Sequence, residues 1–134
     1  MPLPPVSVTD TVLSLALRHA VLEGIPDFSP KSRVVVQADS LLSARALPVL
    51  DTVRFYVLEY DRIQELAHQS EDFTYLGFAP PEIRGDTVEI GIGSTWAYRK
   101  KGFVSGLGGG GCVWVFTRQD GRWVRSKVVS CIIS

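Results

Sequence analysis

Residues 112–133 read CVWVFTRQDGRWVRSKVVSCII, and they are the most informative segment of the chain because they hold two strand patterns around one turn. The dipeptide Asp120-Gly121 is preferred where both turn residues need a positive φ, which predicts a two-residue hairpin turn. Cys112 to Thr117 and Trp123 to Ile133 are then the two antiparallel strands. Residues equally distant from the turn face each other in such a hairpin, so the turn assigns each side chain to one of two faces.

The predicted pairing gives the hairpin one aliphatic face and one aromatic and basic face. The aliphatic face carries Val113, Val115, Val124, Ser126, Val128, Ser130 and Ile132. We expect this valine-rich face to be buried against helices, because β-branched side chains pack well on a pleated surface. The other face pairs Trp114 with Lys127, Phe116 with Arg125, and Cys112 with Val129. There the basic side chains either shield the rings from water or serve recognition, with cation–π contacts worth about 0.5 to 1 kcal/mol each.

The other strands are predicted from alternation and from runs of β-branched residues. Thr87 to Tyr98 alternates, which is typical of a half-buried strand. One side of it carries Val88, Ile90, Ile92, Trp96 and Tyr98, and the other carries Glu89, Gly91, Gly93, Thr95 and Arg99. Arg33 to Ala38, with three successive valines, and Val53 to Tyr60 are predicted as two further strands.

The N-terminal part predicts a long helix over residues 8–23. Ser7 and Asp10 form a short version of the capping box that opens a helix, and Gly24 predicts its end. A shorter helix is predicted over residues 62–68. The chain therefore predicts an α+β fold, in which a long N-terminal helix packs on a mainly antiparallel sheet of about four to six strands.

Composition and charge predict one soluble domain over residues 1–134, with residues 1–6 as an N-terminal extension. Fourteen Lys plus Arg balance fourteen Asp plus Glu, so the chain lacks the positive field that attracts nucleic acid or an anionic membrane, and neither is predicted as a partner. No apolar run approaches the roughly 18 residues of a membrane span. The first residues lack the pattern of a secretion signal, which predicts the cytoplasm by default, or export if a leader has been removed.

Residues 99–111 are predicted to form a glycine-rich loop. Gly106, Gly108 and Gly111 have the spacing of a dinucleotide-binding motif, but that motif needs a helix after the glycines, and here a strand follows. No cofactor is therefore predicted. Two interpretations stay open. The loop is either an anion-binding nest of backbone N–H groups beside basic residues, or a hairpin connection whose glycines permit close backbone approach.

No catalytic motif or metal-ligand spacing occurs in the sequence, and no metal site is predicted. His19 and Glu59 are the best candidates for acid–base chemistry, although no motif assigns them a role. Cys112 and Cys131 are predicted as diagonal neighbours about 7 to 8 Å apart, too far for a disulfide unless a bulge shifts the pairing. Two free, buried thiols are therefore predicted. The candidate binding residues are Arg99, Lys100, Lys101, Gly108, Gly109, Trp114, Phe116, Arg125 and Lys127.

The sequence CVWVFTRQDGRWV, residues 112–124, resembles the closing hairpin of the nuclear-transport-factor-like, cystatin-like cone superfamily. It is also similar to small uncharacterised bacterial proteins in which a glycine-rich stretch with Cys precedes such a strand. The resemblance covers residues 86–134 and implies a curved antiparallel sheet wrapped on a helix. That superfamily includes binding proteins as well as isomerases, cyclases and dehydratases. Its catalytic pairs have no matching motif in this chain.

Three hypotheses about function follow. The first is a non-catalytic ligand- or protein-binding module that presents the glycine-rich loop and the aromatic and basic face. The second is a small-molecule enzyme of the cone superfamily that uses a buried carboxylate or His in a pocket of about 300 Å³ or more. The third is a homodimer built through an exposed sheet face or edge.

Overall fold

The computed structural model describes residues 7–26, 28, 32–39, 42–100 and 109–133, and within them the chain has an α+β fold. In chain order the described elements are α1 Val8–Glu23, β1 Arg33–Gln37, β2 Arg54–Leu58, α2 Tyr60–Gln69, β3 Phe73–Phe78, β4 Glu82–Arg84, β5 Thr87–Ala97, β6 Gly109–Gln119 and β7 Arg122–Ile133. One 3₁₀ turn, Ala44–Ala46, lies between β1 and β2. The predicted α+β class is confirmed.

The seven strands of the described residues form one mixed, open sheet in the order β2-β1-β3-β5-β6-β7, with β4 also paired to β5. β1 runs parallel to β2 and β3, and the other pairs are antiparallel. The sheet is therefore mostly antiparallel, as predicted, but it is larger than predicted because β3 and β4 were missed. The apolar residues of β3 do not alternate with polar ones, so this strand carries no two-residue period.

One face of the sheet packs against α1 and forms the main core. The side chain of Ser7 accepts a hydrogen bond from the Asp10 N–H at 3.0 Å, and the helix ends at Gly24, whose φ is 82°. The predicted limits of this 16-residue helix are therefore confirmed. The sheet residues in this core are Val34, Val36, Leu76, Val88, Ile90, Ile92, Cys112, Trp114 and Phe116.

On the opposite face of the sheet, α2 covers one end. Ile63 and Ala67 of this helix are fully buried in a second apolar cluster with Tyr75 and Ala97. The partly buried residues of the same cluster come from β1, β2 and β3. In the described part of the chain, no helix therefore covers the rest of this face on β5, β6 and β7.

The hairpin of β6 and β7 has the predicted turn but not the predicted register. Residues 120 and 121 have φ values of 51° and 78°, as a turn with two positive φ angles requires. The predicted pairing holds as far as Phe116 opposite Arg125. Beyond that pair, two β-bulges insert Ser126 and Val129 into β7, and each bulge shifts the pairing by one residue.

The aromatic face of the hairpin, and not the valine-rich face, lies against α1. Trp114 and Phe116 are 2% and 0% exposed, whereas Val124 on the opposite face is 39% exposed. The expectation that the valine-rich face would be buried is therefore wrong. Indole and phenyl rings bury more apolar surface than valine does, so packing under the helix favours the aromatic side of β6.

Cys112 and Cys131 form a disulfide across β6 and β7, with their Cα atoms 4.1 Å apart. The prediction of two free thiols is therefore wrong. The two bulges move Cys131 by two positions, from a diagonal place to one directly opposite Cys112. Directly opposite residues on neighbouring strands are near enough to be bridged, and diagonal ones are not.

Candidate functional site

Three glycines lie in one row across the part of the sheet that α2 leaves uncovered. Gly77 of β3 pairs with Gly93 of β5, and Gly93 pairs with Gly111 of β6. The row continues to Ile132 of β7, which pairs with Gly111. Gly91 lies two residues before Gly93 and therefore on the same face. We call the surface above these four glycines the glycine trough, because no side chain rises from its floor.

Packing requires some of these glycines but not all of them. A Cβ added at Gly111 would lie 2.8 Å from the Ile92 carbonyl oxygen, so this position needs glycine for the strands to approach. At Gly93 an added Cβ would lie 3.2 Å from the Gly110 carbonyl oxygen, which is also tight. At Gly77 an added Cβ would meet no heavy atom of the described residues within 4 Å. The empty space above Gly77 is therefore not imposed by its neighbours.

The glycine trough has a volume of about 530 Å³ and is open to solvent on its outer side. Its polar lining side chains are those of Gln37, Asp39, Thr95 and Ser130. Apolar side chains that line it include Ala79, Val113 and Ile132. No Lys or Arg occurs among the described residues that line it, and Asp39 supplies its formal charge. The site thus combines a flat backbone floor with a mildly polar rim.

The glycines at the start of β6 let the strand pass close to the loop after α1. The Ser94 hydroxyl donates to the Pro26 carbonyl oxygen at 3.1 Å and accepts from the Gly110 N–H at 3.2 Å. Side chains at Gly109 and Gly110 would collide with the backbone at Ser94 and Pro26, respectively. Gly109 and Gly110, which belong to the described part of the predicted loop, therefore allow β6 to lie close to the backbone at Ser94 and Pro26.

A charged cluster lies at the end of α1. The Glu23 carboxylate accepts a hydrogen bond from Arg125 Nη2 at 2.8 Å and contacts Nδ1 of His19 with its other oxygen. These contacts, first with His19 and then with Arg125, hold the pKa of Glu23 below its ordinary value of 4.5. The His19 ring packs edge-on to the Trp114 ring, 6.0 Å away. A second open groove, of about 500 Å³, includes Glu23, Arg125 and Trp114 in its lining.

The predicted aromatic and basic site residues do not form one exposed surface. Trp114 and Phe116 are buried in the core, and Arg125 is half-buried with its guanidinium 5.2 Å from the centre of the Trp114 ring. Arg125 thus stacks on Trp114 and not on Phe116, because side chains lean along the strand. Lys127 is exposed on the other face, opposite Val115, so its predicted stacking on Trp114 is wrong.

The predicted loop residues lie apart from the glycine trough's floor or outside the described chain. Arg99 and Lys100 are exposed just after β5. Gly109 is buried as the first residue of β6, so the strand extends into the stretch predicted as loop. Lys101 and Gly108 lie outside the described residues.

Three further observations concern metal binding, acid–base chemistry and membrane spans in the described residues. No group of three His, Cys, Asp or Glu side chains within them lies close enough to bind a metal ion. Glu59, a predicted acid–base candidate, is exposed at the N-cap of α2. None of the described helices has the length and apolar character to span a membrane.

The glycine trough itself was missed by sequence reasoning. Gly91 and Gly93 were correctly predicted on one side of β5, which was the available signal. A trough forms only because Gly77 and Gly111 flank Gly93, and that alignment depends on strand order and register.

Comparison with known proteins yields no relative: no family model, no curated protein and no solved structure matches this chain. Within the described residues, the chain is an α+β protein with an open groove on one sheet face.

Proposed function

We propose that this protein is a non-catalytic binding module that holds a flat, uncharged ring compound in the glycine trough. The observation that carries the proposal is the row formed by Gly77, Gly93 and Gly111, which exposes backbone in place of side chains on three neighbouring strands. Glycine weakens the interior of a strand, and it often marks a site where a ligand approaches the backbone closely. Gly77 fits that role because no heavy atom of the described residues lies within 4 Å of the position that a Cβ would take there.

The dimensions of the trough favour a ring system. Neighbouring strands lie about 4.8 Å apart, so three glycines in a row span about 10 Å. Two fused six-membered rings fit this length when they lie flat on the peptide planes. Gly91 extends the bare floor along β5. A ligand with bulky tetrahedral groups would gain fewer van der Waals contacts with such a flat surface.

The rim of the trough favours a ligand without negative charge. Asp39 supplies a carboxylate, and Gln37, Thr95 and Ser130 supply an amide and two hydroxyls. A carboxylate and an amide oxygen accept hydrogen bonds from hydroxyl or amine groups at the edge of a ring. An anion would meet the negative charge that Asp39 contributes to this rim.

A neutral fluorophore tests the proposal. N-phenyl-1-naphthylamine carries three aromatic rings and no charge, and its fluorescence rises in apolar surroundings. We expect saturable enhancement on titration into the protein. Two-dimensional ¹H–¹⁵N spectra should show the largest shift changes at the amides of Gly77, Gly91, Gly93 and Gly111. Shift changes centred elsewhere, or enhancement that never saturates, would contradict the proposal.

A blocking variant sharpens the test. Gly77→Leu adds a side chain to the floor at a position where a new Cβ meets no heavy atom within 4 Å. We expect the affinity for the fluorophore to fall by about tenfold or more, which is about 1.4 kcal/mol, while the melting temperature stays near that of the wild type. Thr52→Leu adds the same side chain in the exposed turn before β2 and serves as the control. Unchanged affinity in Gly77→Leu, or an equal loss in Thr52→Leu, contradicts the proposal.

The second candidate function is a small-molecule enzyme of the isomerase, cyclase or dehydratase type. The contact between His19 and Glu23 favours it, because a carboxylate at Nδ1 fixes the imidazole tautomer and leaves Nε2 as a proton acceptor. Its substrate would enter the groove beside Glu23. On this candidate, His19→Gln abolishes turnover of small carbonyl compounds followed by NMR and leaves fluorophore binding unchanged. Turnover that persists in His19→Gln would exclude this role for the histidine.

We also propose the finer architecture implied by the sequence resemblance, a curved sheet of the cystatin-like kind. It is supported by a helix packed on one face of a mostly antiparallel sheet, and by two bulges in β7, since bulges bend strands. An experimental structure with a flat sheet would contradict it.

A further inference from the structure

A small apolar patch lies beside the glycine trough on the uncovered part of the same sheet face. Val113 and Val115 come from β6, and Val124 comes from β7 and is 39% exposed. Neither Val113 nor Val115 belongs to an apolar cluster of the described residues. Glu89 and Lys127 flank Val115, since Val115 pairs with both. We call these five residues the valine patch.

We propose that the valine patch is the contact surface of a homodimer in which two copies of this chain stack the same sheet face on each other. Stacked sheets pack about 10 Å apart with their strands roughly aligned. A closed pair of identical chains needs a surface that is complementary to itself under a twofold rotation. The valine patch meets that requirement in both charge and shape.

A twofold axis that runs parallel to β6, above Val115, makes the charges of the two copies complementary. Glu89 and Lys127 lie one strand to either side of Val115, about 4.8 Å away in each direction. Rotation about this axis puts Glu89 of one copy over the partner's Lys127, and the reverse. Glu89 also lies opposite Glu82 across β4 and β5, and Arg84 forms an ion pair with Glu82.

Shape complementarity follows from the same axis. Ile132 pairs with Gly111 on one side, and Gly93 pairs with Gly111 on the other. The rotation therefore brings the partner's Ile132 over Gly93. The Ile132 side chain is 65% exposed, and Gly93 has no side chain. The protruding isoleucine of one copy therefore fits the space above the glycine of the other. The partner's Ile132 then takes the space above Gly93, so a ligand that covers the floor of the glycine trough competes with the dimer. This last step rests on the proposed function, whereas the dimer itself does not.

The size of the surface sets the strength of the dimer. The patch and the adjoining row of the trough are three strands wide and seven residues long, roughly 10 Å by 20 Å. That area is well below the roughly 800 Å² per partner of stable complexes. We therefore expect a weak, reversible dimer that depends on protein concentration.

Charge reversal tests the contact between copies. Sedimentation velocity of the full chain from about 10 μM to about 1 mM should show a growing dimer fraction, as a small interface requires. Glu89→Lys and Lys127→Glu each put like charges against each other in the dimer, so each variant alone should stay monomeric. An equimolar mixture of the two variants should dimerise again, because unlike charges then face each other only between different copies.

Matched controls separate this result from a folding defect. Glu71→Lys reverses an exposed charge before β3 and should dimerise as the wild type does. Circular dichroism should show all variants folded. A wild type that stays monomeric to 1 mM, single variants that still dimerise, or a mixture that stays monomeric would overturn the dimer. Fluorophore binding is measured on monomeric Glu89→Lys, in which no partner covers the trough. Binding by this variant keeps the proposed function when the dimer fails, and no binding by this variant rejects the proposed function alone.

Discussion

Cys112 lies directly opposite Cys131 across β6 and β7, and the two residues form a disulfide. The bulges at Ser126 and Val129 create this alignment, because without them Cys112 would face Val129. Cys112 belongs to the core beneath α1, whereas Cys131 lies on the exposed edge strand. The disulfide therefore joins the last strand of the sheet to the core.

Reduction of this disulfide should lower the free energy of unfolding. The bridge spans 19 positions of sequence, and the loop-entropy model gives about 3 kcal/mol for a loop of this size. Urea unfolding with and without reductant measures the difference. A double variant, Cys112→Ala with Cys131→Ala, should not respond to reductant. An equal response of both proteins, or none in the wild type, would contradict the prediction.

Alanine at two of the trough glycines should have opposite effects on stability. Gly111→Ala forces a Cβ to within 2.8 Å of the Ile92 carbonyl oxygen, so we expect a loss of about 1 to 3 kcal/mol in the free energy of unfolding. Gly77→Ala meets no atom and restricts the unfolded chain, so we expect a gain of about 0.4 to 1 kcal/mol. Chemical denaturation of both variants measures these two changes in the free energy of unfolding. Equal losses in the two variants would contradict the difference in packing between Gly77 and Gly111.

Truncation of neighbouring residues on β6 should reveal which face lies inside. Trp114→Ala removes a ring that is 2% exposed, and we expect a loss of about 3 to 5 kcal/mol. Val113→Ala, on the half-covered opposite face, should cost less than about 1.5 kcal/mol. Thermal and urea unfolding measure both. A larger loss for Val113→Ala would restore the alternative in which the valine-rich face is the core.

Acid should remove the contribution of Glu23. Its pKa in the folded chain lies below the ordinary value of 4.5, so the unfolded chain binds this proton more tightly. The stabilisation is therefore present above about pH 4.5 and is lost as the pH falls through the folded pKa. Because the side chain is 47% exposed, we expect about 1 kcal/mol at most.

Comparison of Glu23→Gln with the wild type measures this effect. The variant should unfold more easily at about pH 7, and the difference should shrink as the pH falls below the folded pKa. Glu71→Gln, which alters an exposed carboxylate, is the control. A difference that stays constant with pH would mean that Glu23 acts through packing and not through charge.

The candidate site could be predicted only in part. Gly91 and Gly93 belong to the strand whose alternation is plain, so their shared face was evident. Gly77 lies in β3, which was missed because its apolar residues do not alternate. Trp114 and Phe116 were assigned together to one face, but burial of that face depends on α1 packing there.

Local sequence patterns were enough to predict the limits of α1, the alternation of β5 and the turn at residues 120–121. These features depend on capping, on φ and on periodicity, which act between residues a few positions apart. The folded chain was needed to show the bulges in β7, the disulfide and the alignment of Gly77 with Gly93 and Gly111. These depend on which strands pair and which face meets a helix, and that choice is made by the burial of apolar surface over the whole chain.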